Sequence, residues 1–278
     1  MKTIQTEIIG KITLRLVDTG KGHVGLLLKD GKQLGRIDGN DAIEVWSELR
    51  ASIGKASEAY FGFDGARSRF KEFFPDGFGS VCFDERERNY KLAAKSKLDS
   101  LASLEKALDG KGLGPAILSV YQATNLLSPF EKTRLQPLLR GPDADLFVQT
   151  AARFALGEIA PALKVMDNLL AKYDNAKWTV VTYLPFLWRP DLHMFLKPVV
   201  TQDFADRVGH SFVQDYSAQL DGDVYESLLD LMGTTKRELA TLHPRDNIDL
   251  QSFVWVVGQY EESDHTVASP SSENSRVL

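Results

Sequence analysis

Five histidines, one cysteine and scattered serines are the side chains of this sequence with the most chemistry to offer. His193, His210 and His243, with Asp191 or Asp246, are of the types that hold a divalent metal. No two of these histidines stand at the i,i+4 spacing of a helical zinc site, and no cysteine cluster supplements them. The sequence therefore predicts no metal. Ser211 and Ser252 lack the G-x-S-x-G context that presents a serine nucleophile on a strained turn. Cys82 stands near Asp84 and Glu85, and negative neighbours oppose a thiolate, so it reads as structural. No pair of carboxylates is marked out as acid and base. Gly20-Lys21-Gly22 lacks the rest of a phosphate loop and reads as a turn. No cofactor follows from any of this.

Binding chemistry is better represented. From Tyr60 to Phe78 the chain reads YFGFDGARSRFKEFFPDGF, with phenylalanines around Arg67, Arg69 and Lys71. Rings beside cations stack bases and hold phosphates. The same rings, Phe70, Phe73 and Phe74, also suit a core, plugged from a short helix over residues 64–74. Lys197 lies inside an apolar run, where a lysine must snorkel outward or pair. It closes a structural ion pair or meets a ligand. Pro244 ends any preceding helix, and Asp246 then reads as an N-cap with Asp249 three residues on, a capping box with a shorter acid. Leu250, Phe253, Val254 and Val257 follow at i, i+3, i+4 and i+7, a helical stripe; a strand over 254–257 is the alternative. On the helical reading the two carboxylates serve architecture, and Arg245 is free to meet a partner or a phosphate.

The elements that must position these residues are mostly helical. Alternation over residues 8–17, Val24–Leu28 and Leu34–Ile37, with turn chemistry between them, predicts a three-stranded antiparallel meander. A helix over about 42–53 follows, with Ile43, Trp46 and Leu49 on one face. A long helix is expected over 84–108, its start rich in acids that suit the helix dipole. On it Ala94, Leu98, Leu101 and Leu108 form the inner stripe, while Glu87, Lys91 and Lys95 stand four apart as a solvent face. Further helices are expected from Pro115 to about Leu127, from the capping box Ser128-Pro129-Phe130-Glu131 to Gly141, over 143–156, and over 159–173. Short connections make these an antiparallel array. The densest apolar run, Trp178 to Val200, is interrupted by Arg189, Asp191, Lys197 and prolines, too often for a membrane span. It belongs at the centre of a core, with a helix favoured over 178–187. Thr201 is expected to cap a short helix to Val208, and Val224, Tyr225, Leu228, Leu229 and Met232 mark another.

The fold class is thus α+β: a mostly helical array with a small N-terminal β-meander. The expected organisation is a meander plus helix over residues 1–53, a helical domain over 54–262, and a Ser-rich disordered tail over 263–278. The net charge of −5 argues against a dedicated duplex-DNA binder, which displaces counterions with a basic excess. The first hundred residues are slightly basic and the remainder acidic, so nucleic-acid contact requires a local patch. A single cysteine forbids an internal disulfide and fits a reducing cytoplasm. The N-terminus has no signal-peptide h-region, and no membrane contact is expected.

Two stretches carry a resemblance: Leu184-Pro185-Phe186-Leu187 with His193-Met194-Phe195-Leu196-Lys197-Pro198, and His243 to Val256, HPRDNIDLQSFVWV. Over roughly residues 178–257 the chain resembles uncharacterised prokaryotic proteins ending in PRD-x-ID-x-QSF-x-W, which accompany McrB-type restriction ATPases and other defence or DNA-processing genes. The resemblance implies a cytoplasmic, non-catalytic accessory module that binds nucleic acid or a separate partner, an AAA+ ATPase or a nuclease. Two other classes stay open. One is an enzyme with its site between meander and helical domain; the other is a plain protein-interaction scaffold.

Overall fold

In a computed structural model, residues 2–9, 12–29, 31–52, 61–261 and 263–264 are described. The expected domain boundary at residue 54 and nearly all of the expected disordered tail lie outside them. The fold is α+β, a four-stranded antiparallel sheet followed by a helical array.

Four strands form where three were expected: β1 (Lys2–Ile9), β2 (Ile12–Asp18), β3 (His23–Lys29) and β4 (Lys32–Gly39), paired in chain order. Side chains alternate between the two faces of a strand. Leu14 opposes Leu27 and, with Ile12, faces inward. β1 escapes the sequence reading because its alternation is inverted. Glu7 opposes Leu14 on the inner side, while Ile4 and Ile8 are exposed. An edge strand tolerates this inversion here because Glu7 reaches Arg50 of the helix that covers the sheet, at 2.9 Å. That helix, α1 (Ala42–Ser52), packs on β2, β3 and β4. It buries Val45 and Leu49; Ile43 is 80% exposed, contrary to expectation, and Trp46 is partly buried. Phe61 completes this small core.

The second core is far larger. α2 (Gly62–Phe73) brings Phe70 and Phe73 into it, and Phe74 follows. Phe70 lies within 6 Å of the rings of Phe74, Phe78, Phe83 and Phe253. The long helix expected over 84–108 is instead broken into α3 (Val81–Phe83), one π-helical turn (Asp84–Arg88), α4 (Asn89–Leu101) and α5 (Leu104–Asp109). Ser103 caps α5 by accepting from Lys106 N, so a fresh helix starts where the sequence shows an unbroken apolar stripe. Leu101, expected on the inner stripe, is 38% exposed.

α6 (Gly114–Tyr121) is shorter than expected. It approaches α7 (Pro129–Leu139) so closely that a Cβ at Gly114 would lie 2.0 Å from the Leu139 carbonyl oxygen. Both halves of the Ser128/Glu131 capping box are present. α8 (Ala144–Ala155) and α9 (Ile159–Ala171) follow as the periodicity requires.

At the centre stands α10 (Trp178–Trp188), every residue buried. It runs one residue past the expected end at 187, with Pro185 inside it. Its polar atoms are satisfied by neighbours: Trp178 Nε1 donates to Ser217 O, and Trp188 Nε1 to Ala102 O. α11 (Pro198–Val208) begins at proline, so Thr201 lies inside it and is not its cap. A short α12 (Phe212–Asp215), then α13 (Gly222–Glu238) and a 3-10 turn (Ala240–Leu242), lead to α14 (Asn247–Gln259). No helix among the described residues is long and apolar enough to cross a membrane.

Candidate binding groove

From Asn247 onward the motif is helical, and Asn247, Asp249, Gln251 and Ser252 turn inward. Asp246 caps α14 by accepting from the amides of Ile248 and Asp249. Asp249 does not close a capping box. It is fully buried, accepting from Arg88 at 2.7 Å and from Arg245 Nε at 2.8 Å. Arg88 also holds Asp246 through both terminal nitrogens. Arg245, expected free, is tied to Asp249 and to Asp84, the latter at 2.8 Å. The motif is a lock between α14 and the π-turn, and Arg245 is not available as expected.

A second buried layer lies beneath. Lys91 Nζ donates to Ser252 Oγ at 2.7 Å and to Glu87 Oε2 at 3.3 Å, while Tyr260 OH donates to Glu87 Oε1. Glu87 and Lys91 are expected on a solvent face; they are 4% and 0% exposed. Burial pulls the Lys91 ammonium down to about pKa 8, against the opposing pull of Glu87. A serine hydrogen-bonded to a lysine of lowered pKa has the form of a nucleophile and its base. Here both side chains are fully buried, and Ser252 donates to the Ile248 carbonyl of its own helix. The pair is therefore architectural.

The three expected phosphate contacts separate. Arg69 is withdrawn: Nε donates to Val257 O and Nη2 to Tyr260 O, satisfying carbonyls at the C-terminus of α14. Arg67 and Lys71 remain together on the wall of a groove of about 570 Å3 between α1 and α2. Arg67 is partly neutralised by Asp64 and donates to Glu238 O at 2.6 Å. The opposite wall, from α1, supplies Trp46 and Arg50. Sequence reading assigns Trp46 to a packed face and passes over Arg50, because nothing in residues 42–52 indicates that α1 will lie across from α2. A neighbouring hollow of about 330 Å3 shares Lys71 and Thr241 with the groove and reaches His243 and Arg245. His243 adopts a left-handed conformation, φ 54°, uncommon for a residue with a side chain. It turns the chain from the 3-10 turn into Pro244.

Lys197 closes no ion pair. Its ammonium stands 4.1 Å over the Trp255 ring, with no carboxylate in ion-pair reach among the described residues. Burial lowers its pKa, and Glu131 acts against that through space. His193 and His210 are engaged locally, His193 with Ala155 O and Tyr225 OH, His210 with Asp230. Among the described residues no cluster of three or more His, Cys, Asp or Glu side chains is arranged to hold a metal ion.

Comparison with protein-family models, curated proteins and solved structures returns no match.

Proposed function

We propose that this chain is a non-catalytic binding module that engages single-stranded nucleic acid along the groove between α1 and α2. The observation that supports the reading is that Lys71, Arg50 (paired with Glu7) and Arg67 (paired with Asp64) line one groove with the partly buried Trp46. Cations along a groove track a phosphate backbone, and an aromatic side chain stacks bases without regard to sequence. The phenylalanines that suggested stacking are core, and Trp46 takes that role. The resemblance of residues 178–257 to proteins that accompany restriction ATPases supplies the setting, an accessory to a separate ATPase or nuclease in defence or DNA processing.

Fluorescence anisotropy with a labelled oligonucleotide across a salt series tests this. Arg50→Ala combined with Lys71→Ala should weaken binding and lower the salt slope by roughly one unit for each phosphate no longer neutralised. Trp46→Ala should weaken binding at unchanged slope. Arg69→Ala should lower stability and leave the slope alone. A wild type that binds no oligonucleotide at low salt rejects the reading and leaves the protein-interaction scaffold.

A further inference from the structure

A second cleft, of about 430 Å3, opens where the loop before α7 meets α10 and Lys197. Leu126, Leu127 and Pro129 give it apolar walls; Glu131, Lys132 and Lys197 give it charge. Two of these charges are already committed. Glu131 accepts from Ser128 N through Oε2 and from the Thr179 hydroxyl through Oε1. The Lys132 ammonium donates to the Thr124 carbonyl. Lys197 differs. It is half-buried over Trp255, and its ammonium finds no hydrogen-bond acceptor among the described residues. An ammonium carries three donors and no acceptor, and donors removed from water without a partner cost stability.

We propose that this cleft binds a small organic monocarboxylate, its carboxylate on the Lys197 ammonium and its apolar body against Leu126, Leu127 and Pro129. The charge count selects the ligand. Two ammonium groups share the cleft with one carboxylate, which leaves one positive charge to compensate. A phosphate dianion would bring a second negative charge close to Glu131, and that repulsion is strong where water is partly excluded. The volume lies within the range of small-molecule sites. The Trp255 face fixes the ammonium in place, so little order is lost on binding. This site is separate from the α1–α2 groove and stands or falls independently of it.

Saturation-transfer NMR and calorimetry on the full chain test the proposal, with benzoate and hexanoate as probes, benzamide as the neutral isostere and inorganic phosphate as the dianion. Benzoate should bind at least about tenfold more tightly than benzamide, a gap of one order in Kd. Lys197→Met should lose that preference while melting at or above the wild-type temperature, because a half-buried ammonium without a hydrogen-bond acceptor among the described residues is removed and the hydrocarbon chain over Trp255 is kept. Lys197→Arg should retain part of the affinity. Should Lys197→Met fail to fold, Lys197→Gln decides by the same readout. The proposal is overturned if the wild type binds neither carboxylate at millimolar concentration, if benzamide or phosphate binds as well as benzoate, or if the folded Lys197 variant keeps the preference.

Discussion

Lys91 gives the network behind α14 a pH dependence of definite sign. Its folded pKa of about 8 lies below the ordinary value of 10.5. Below about pH 8 the lysine is charged in both folded and unfolded chains. Between there and about pH 10 the unfolded chain binds more protons, so stability rises with pH. Above that, Tyr90, Tyr225 and Tyr260, whose pKa values burial raises, act the other way, because the unfolded chain ionises them first. Lys197 shifts in the same direction as Lys91, so the contribution of Lys91 is isolated only by comparison. Thermal melts at several pH values should show the wild-type Tm gaining on Lys91→Met between pH 8 and 10. Parallel curves for the two proteins would mean that the Lys91 ammonium keeps its ordinary pKa in the fold. The buried pair is legible in principle. Leu98 and Ala94 extend backward at helical spacing to Lys91, Glu87 and Phe83, and all five are buried. The stripe reads from sequence only as far as its apolar members, since charge by itself gives no hint of a partner arriving from residue 252.

At the scale of the element, α14 is held by a cap and by charge, and substitutions at Asp246 separate the two. Asparagine caps as well as aspartate but cannot pair with Arg88. Asp246→Asn should therefore lose the ion-pair contribution alone, whereas Asp246→Ala also loses two amide partners. We expect about 3 kcal/mol for alanine and about half that for asparagine in urea denaturation. Equal losses would assign the whole effect to charge. Arg245→Ala, expected from sequence to fold normally, should destabilise as well, because Asp249 is fully buried and would keep only Arg88 and the backbone amide of residue 245. Element existence is largely readable. The capping box at Ser128, the stripe of α14 and the stop at Gly141 rest on local chemistry, and local chemistry is present in one sequence. What a single sequence hides is non-local. The π-turn at Asp84–Arg88 and the break before α5 place side chains against distant partners. β1 carries Ile4 and Ile8 outward, and its inner Glu7 is satisfied by Arg50 from a helix 43 residues on. The candidate groove is half legible for the same reason: Arg67 and Lys71 share one helix, and Trp46 and Arg50 come from another.

The whole molecule joins two cores of unequal size. Ile12, Leu14, Leu27, Leu49 and Phe61 form the small one, under a four-stranded sheet and a single helix. A unit of that size buries a small share of its surface and is marginal by itself. Phe61 links it to the rest, with Lys29 of the sheet over its ring at 5.6 Å and Arg207 of α11 at 5.8 Å. Native-state hydrogen exchange should therefore show two levels of protection, the amides of α10 opening only with the whole fold and those of β2 and β3 opening sooner. Phe61→Ala, at a cost of about 3 kcal/mol, should lower protection in the sheet and α1 by the full amount and in α10 by no more than that. Because α1 forms one wall of the groove, a ligand there engages the less stable unit. Binding stabilises whatever opening would release. An oligonucleotide at a hundred times its Kd should then raise sheet and α1 protection by about 2.7 kcal/mol, with α10 gaining no more than that. Protection confined to α2, with the sheet unaffected, would place the ligand outside the groove and remove Trp46 and Arg50 from the binding surface.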